Sequence, residues 1–294
     1  MKTKYDDLTI ADDFLFCKIL ETRKDLCKKI IEVITQREIK ELTDVRAQKS
    51  EKSTIGVKGV RFDVIFKDDE DTIYNLEMQT TNLKNLAKRS RYYQSTIDTS
   101  FLNSGGKYED LPNSLVIFIC TFDPFGYKKH LYTFRPTCTQ DHSIVMDDGT
   151  YRLFVSTEGA DSIGDECKDL LDYFGGRAVK GELAQNLQQE VDNAKLNEKW
   201  RSEFMQNMAF YMDAVSEGET KGRIEGRIEG RREGRLEGRQ EGRIEGLETG
   251  REEKGIQVFL RCMEKGMDRE EAQSIAEISD EQVEKALAGK SPKQ

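Results

Sequence analysis

Histidine is almost missing from this chain: His130 and His142 are the only two among 294 residues. Triad or acid–base chemistry built on imidazole therefore has little to work with. Cysteine occurs six times, at 17, 27, 120, 138, 167 and 262, without a single CxxC pair. Thiols scattered in this way are read as packing residues kept reduced in a cytoplasm, rather than as zinc ligands or a disulfide framework. No apolar run approaches the length of a membrane span, and no charged stretch followed by an apolar one opens the chain as a secretory leader would. Positive charge is not in excess either, since 46 Lys and Arg face 55 Asp and Glu, for a net charge of −9. The chain is not a basic nucleic-acid coat, and any contact with phosphates must come from a local patch of Lys and Arg.

The residues present centre on the stretch 60–79, VRFDVIFKDDEDTIYNLEMQ. Val, Ile, Phe and Tyr enrichment marks two strands, and DDEDT between them is turn chemistry. With Lys67 paired to Ile73, Asp63 falls opposite Glu77, because cross-strand partners keep a constant sum. Alternation then predicts one face of Arg61, Asp63, Ile65, Asn75, Glu77 and Gln79, and a wholly apolar face of Phe62, Val64, Phe66, Tyr74, Leu76 and Met78. Directly opposed carboxylates repel unless a proton or a cation lies between them. A hard divalent ion with oxygen ligands, Mg²⁺ or Mn²⁺, suits such a pair. An ordinary hairpin with one wet, charged face is the plainer reading of the same spacing.

Asp63, a short gap and then Glu77-Met78-Gln79 resemble the core of the PD-(D/E)XK nuclease superfamily. More narrowly they resemble the recombination-promoting nuclease (Rpn) group, also described as PD-(D/E)XK nuclease family transposases. No Pro precedes Asp63, and Gln79 stands where Lys is usual; E-x-Q is the form of the Rpn group. Arg89 with Tyr92-Tyr93 resembles the R-x-x-Y-Y segment that follows E-x-Q in such proteins. The resemblance covers roughly the first half of the chain. It implies a metal-dependent DNA endonuclease serving recombination, mobile elements or defence against foreign DNA. Asp63 and Glu77 would hold Mg²⁺ (or Mn²⁺ or Ca²⁺), with Gln79 as a third catalytic residue. It also implies that an acid of the first helix, Asp13, approaches the metal, with Arg61 and Tyr93 as further supporting residues. The alternative is a catalytically weak or inactive nuclease fold acting as an oligomeric nucleic-acid-binding scaffold, which the missing Lys favours.

Around the hairpin, residues 8–35 read as two helices, the first capped by Thr9 or Asp12 and the second carrying an apolar stripe from Leu26 to Ile34. Residues 42–54 read as a strand and a polar loop, with Gly56 and Gly59 allowing a bend. Thr81 and Asn82 are good caps for a helix reaching about residue 103. Lys84, Lys88, Arg89 and Arg91 would then sit on it as a basic edge for substrate phosphates, or simply as a solvated face. Residues 114–121 form a continuous apolar run expected for a buried strand, and 130–137 and 150–156 read as further strands. The predicted fold class is α/β, a restriction-endonuclease-like core with a small mixed sheet flanked by helices, followed by an all-α C-terminal extension.

Four segments follow from this: a nuclease-like domain at 1–175, an amphipathic helical region at 183–216, a Gly-Arg-Ile-Glu repeat at 217–254, and a small helical module at 256–288. In the repeat, Gly recurs at every fourth position from 218 to 250. Each interior Gly costs a helix roughly 0.8–1.0 kcal/mol relative to Ala, and Arg meets Arg and Glu meets Glu at i+4, which is mildly repulsive. A second helix along the stripe relieves both, so the repeat reads as a self-association helix making a homo-oligomer, or else as a spacer. The last segment carries Asp268-x-x-Glu271 and Ser279-x-x-Gln282 caps, and reads as an interaction module or a DNA-reading helix-turn-helix.

Overall fold

The computed structural model describes residues 4–43, 45–47, 50–51, 60–102 and 105–288. The chain divides into two units, Met1–Met208 and Ala209–Gln294.

The first unit opens with α1 (Asp13–Thr22) and α2 (Lys24–Thr35), then β1 (Arg46–Ala47), β2 (Ser50–Glu51), β3 (Val60–Arg61), β4 (Val64–Lys67) and β5 (Ile73–Gln79). It continues through α3 (Leu86–Phe101), β6 (Ser114–Cys120), β7 (Leu131–Phe134), β8 (Thr150–Ser156), α4 (Asp165–Phe174) and α5 (Gly181–Lys195), and ends in the first turns of α6 (Glu198–Glu264). Six strands form one sheet in the order β1-β4-β5-β6-β8-β7. β4 and β5 are an antiparallel hairpin, β5, β6 and β8 run parallel, and β7 returns antiparallel at the edge. The parallel step from β5 to β6 needs a crossover, which α3 supplies.

Both faces of this sheet are covered, which is why Ser114–Cys120 is buried along its whole length. On one face Val64, Phe66, Tyr74, Leu76, Ile117 and Val155 pack with the apolar stripes of α1, α2, α4 and α5. On the other, Ile65, Ile73, Val116, Phe118 and Phe154 meet Leu86, Tyr93 and Ile97 of α3. A restriction-endonuclease-like core with a mixed sheet between helices, followed by an all-α extension, is what the chain builds.

The hairpin has the expected register, Lys67 with Ile73 and Val64 with Leu76. Its turn is held by Asp68, whose carboxylate accepts from Thr72 N (2.8 Å) and from the Tyr74 hydroxyl (3.0 Å). One residue departs from the predicted faces: Phe62 packs against Tyr93 on the α3 side, at 5.5 Å between ring centroids, and not beside Val64. The cause lies at residues 62 and 63, which belong to neither β3 nor β4, so alternation restarts at Val64.

Other boundaries move for local reasons. Asp12 precedes α1 but spends its carboxylate on Thr9 N and Oγ1 rather than on a helix amide. Thr81 and Asn82 do not cap α3; Asn82 Oδ1 accepts from Lys84 N at 3.0 Å in a turn where Lys84 takes φ 53°, and the helix starts after Asn85. Lys84 is therefore in a turn and not on a helix face with Lys88 and Arg91. The strand expected over 130–137 is confined to Leu131–Phe134, because His130 is tied to Asp161 and Pro136 has no amide for the ladder. Of the expected strand and loop at 42–54, Leu42 makes an isolated bridge with Asp68, and β1 and β2 are two residues each. Gly56 and Gly59 lie outside the described residues.

In the second unit α6 runs without a break through the Gly repeat and on to Glu264. The separate helix expected from 256 is thus its final part. Gly266, at φ +84°, stops it, and Met267 N returns to Cys262 O. Then come α7 (Arg269–Ala276), with Asp268 accepting from Glu271 N at 2.8 Å, and α8 (Asp280–Ala288), entered through the reciprocal Ser279–Gln282 box. Phe259, Ala272, Ala276, Ile278, Val283 and Ala286 form a separate small core. Ile275 of α7 is 52 % exposed. Among the described residues no helix is long and apolar enough to cross a membrane.

Candidate metal centre

The break at residues 62–63 builds the site. Asp63 N donates to Glu77 Oε1 (3.0 Å), and Met78 N donates to Asp63 Oδ2 (3.0 Å), so the two strands are joined here through their carboxylates. Asn75 Nδ2 gives Glu77 Oε1 a second donor at 2.8 Å. Glu77 is 2 % exposed, while its other oxygen lies 3.7 Å from Arg89 Nη2. Burial raises the pKa of both acids well above the ordinary carboxylate range; the charge of Asp63 adds to this at Glu77, and that of Asp13 adds to it at Asp63.

α1 brings Asp13 to the same place. Ligand atoms of Asp13, Cys17 and Asp63 lie within 4.8 Å of one another. Cys17 Sγ donates to Asp13 Oδ1 at 3.4 Å, and Arg61 Nη2 stands 3.8 Å from Asp13 Oδ2 on the solvent side. Cys17 was not singled out in the sequence; its signal is the spacing of four from Asp13, which puts both on one helix face.

α3 supplies the positive charge. Arg89 Nη1 donates to Gln79 Oε1 at 2.6 Å and Nη2 to the Tyr93 hydroxyl at 3.0 Å. Its guanidinium is 5.4 Å from the ring centroids of both Tyr93 and Phe118. Gln79 is fixed at its other end, with Nε2 donating to Thr81 O at 2.7 Å. Tyr93, buried beside Glu77, has its phenol pushed up to about 12. Of the four basic residues expected to meet phosphates, Arg89 is drawn into the site, whereas Lys84, Lys88 and Arg91 are exposed around it.

The donor set fits a hard divalent cation. Asp13 and Asp63 offer carboxylate oxygens that lie together, while Glu77 stands outside their cluster with one oxygen accepting from Asp63 N and Asn75 Nδ2; desolvated carboxylates gain from a cation beside them. The buried Asn75 Oδ1, next to Glu77, has no hydrogen-bond partner. Cys17, a soft thiol that donates to Asp13, is the poorest match for such an ion.

One family model matches part of the chain. Residues 11–147 match the family model of the PD-(D/E)XK nuclease family transposases, a stretch that holds Asp13, Asp63, Glu77, Gln79 and Arg89 and ends just before β8. Neither the curated proteins nor the solved structures yielded a match. Over residues 11–147, just under half of its length, the chain is similar to the PD-(D/E)XK nuclease family transposases.

Proposed function

We propose that this protein is a divalent-metal-dependent DNA endonuclease that hydrolyses phosphodiester bonds, in the setting of recombination, mobile elements or defence against foreign DNA. The observation that carries the reading is the pair of half-buried Asp63 and buried Glu77, cross-linked through Asp63 N and Met78 N, with Asp13 beside Asp63 and Arg89 beside Glu77. Asp63 and Glu77 would hold Mg²⁺, Mn²⁺ or Ca²⁺, with Asp13 in support. When bound, such an ion polarises the scissile phosphate and lowers the pKa of a water.

The chain's own residues do the rest. Gln79 is held in place between Thr81 O and Arg89, which leaves one Nε2 hydrogen and one Oε1 lone pair for a water or a phosphate oxygen. It carries no charge, and the guanidinium of Arg89 supplies the cation that Lys provides in the usual form of the motif. Lys84, Lys88 and Arg91 are left to meet the phosphates flanking the cut. Tyr93 keeps Arg89 in place from below, and Arg61 screens Asp13.

Plasmid nicking with Mg²⁺, Mn²⁺ or Ca²⁺ tests this. Wild type should cleave with at least one of them, and Asp63→Ala should lose at least a hundredfold. Cleavage that survives Asp63→Ala, or none with any metal, would count against the enzyme. The second reading, a non-catalytic nucleic-acid-binding scaffold, draws on Gln79 in place of Lys, with its amide engaged at both ends. Self-association through α6 belongs to either reading. A cytoplasmic setting agrees with the six free cysteines.

A further inference from the structure

The loop 121–130 leaves the sheet at the end that carries Glu77 and Gln79. Gln79, Cys120 and Ser156, the last residues of β5, β6 and β8, are aligned by register, and Thr121 N donates to Gln79 O at 3.1 Å. The loop then crosses the end of β8, where Ser156 Oγ donates to Phe122 O (3.2 Å) and Ser156 N to His130 O (2.8 Å). With strands about 4.8 Å apart, its root at β6 is one strand from Gln79 and its far side at β7 is three strands, about 14 Å, away, the length of about four nucleotides of a strand at about 3.4 Å each.

The loop is held far more tightly than a surface connection needs. Asp123 accepts from Phe125 N (3.1 Å), Gly126 N (2.9 Å), Lys128 N (2.6 Å) and the Tyr132 hydroxyl (2.8 Å). Phe125 packs within 5.0–5.1 Å of the rings of Tyr132, Phe134 and Phe154. Lys128 O accepts from Ala160 N at 2.8 Å. Yet the tip of this anchored loop presents Tyr127, 77 % exposed, followed by the exposed Lys128 and Lys129. Lys129 has Asp161 at 3.8 Å but keeps more than half of its side chain in solvent.

An exposed aromatic ring on an anchored backbone, beside two ammonium groups, suits one ligand chemistry. Base stacking needs a free base face, which a duplex does not offer, and phosphates supply the negative charge. Holding the backbone that carries the ring in advance lowers the ordering cost of binding. We infer that this loop is a docking platform for unpaired nucleotides of the substrate, with Tyr127 stacking on a base a few positions from the scissile phosphate and Lys128 and Lys129 meeting the backbone. The inference rests on the nuclease reading and narrows its substrate to DNA that is single-stranded or locally unpaired at the site.

The test is fluorescence anisotropy in EDTA with the full chain, using a labelled mixed-sequence single-stranded oligonucleotide and its blunt duplex. Tyr127→Ala should weaken single-strand binding by about tenfold or more, Tyr127→Phe should retain it, and duplex binding should change far less. Lys128→Glu with Lys129→Glu should weaken binding and flatten its salt dependence. Single-strand binding unchanged by Tyr127→Ala, in a protein whose wild type cleaves DNA with metal, would overturn the platform alone. A wild type that neither binds oligonucleotide nor cleaves would overturn both the platform and the nuclease reading.

Discussion

Arg89 is the residue whose role changes most between sequence and structure. In the sequence it is one of four basic residues on a presumed helix face; in the fold it contacts Gln79, Tyr93 and Glu77 together. Arg89→Ala should therefore cut the cleavage rate by about a hundredfold, in the range for loss of one preorganised charge donor. Lys88→Ala should mainly raise the DNA concentration needed. A kcat-against-KM comparison of the two variants checks the assignment, and equal effects on KM alone would remove Arg89 from the chemistry. The acids set a second expectation. Burial raises the pKa of Asp63 and Glu77 in the folded state, so the fold binds their protons more tightly than the unfolded chain does. The stability they contribute is complete in acid, below about pH 4, and is lost as pH rises through neutrality. Thermal melts in EDTA should show Tm falling over that window, and Mg²⁺ should flatten the fall because a cation replaces the protons. An identical pH slope with and without Mg²⁺ would argue against a metal among these carboxylates.

At the scale of elements, the long helix shows why composition alone misleads. The Gly residues from Gly222 to Gly246 each have open space where a Cβ would be, so among the described residues nothing requires Gly there. Gly255 differs: an added Cβ would meet Ile278 Cγ2 at 2.5 Å. Gly255→Ala should thus destabilise the second unit by about 1–3 kcal/mol, whereas Gly234→Ala should favour the helix by about 0.8–1.0 kcal/mol; denaturant melts followed by circular dichroism compare them. Along the repeat Arg follows each Gly from 222 to 242, and Glu precedes each from 226 to 246. At about 100° per residue, Arg and Glu line opposite flanks of the Gly row, while Ile224, Ile228, Leu236 and Ile244 lie behind it, half-exposed or more. Two such helices placed in parallel set Arg flanks against Glu flanks, and antiparallel ones set like against like. A parallel pair therefore predicts that Gly222→Cys forms a disulfide with its own copy under mild oxidation. If a cross-link instead required a mixture of Gly222→Cys and Gly246→Cys, the pair would be antiparallel.

For the whole molecule, the two units ask for separate assays. Carboxylates, Gln79 and Arg89 all lie in Met1–Met208, and the repeat lies in Ala209–Gln294. Deleting residues 218–250 should lower the molar mass measured by sedimentation to that of a single chain. Cleavage with metal should survive the deletion within a few fold. An unchanged molar mass would remove self-association through the repeat, while leaving the nuclease reading as it stands.

Much of the first unit was legible in the sequence because short-range rules decide it. The turn residues of 68–72 and the apolar alternation around them set the hairpin register, and the apolar run within 114–121 identified the buried β6. The caps of α7 and α8 were readable for the same reason, since a cap is made by residues three apart. What the sequence did not show depends on groups far apart in the chain. The break at 62–63, which turns Phe62 toward Tyr93, exists because Asp63 bonds with Glu77 and Met78 across the hairpin. Asp13 and Cys17 reach Asp63 only because α1 packs on the sheet, and Arg89 meets Gln79 from a helix that begins three or four residues later than its apparent caps suggest. Periodicity and caps are local and can be read along the chain; the meeting of α1, the hairpin and α3 around one pair of acids is set by packing on both faces of the sheet, and only the tertiary structure decided it.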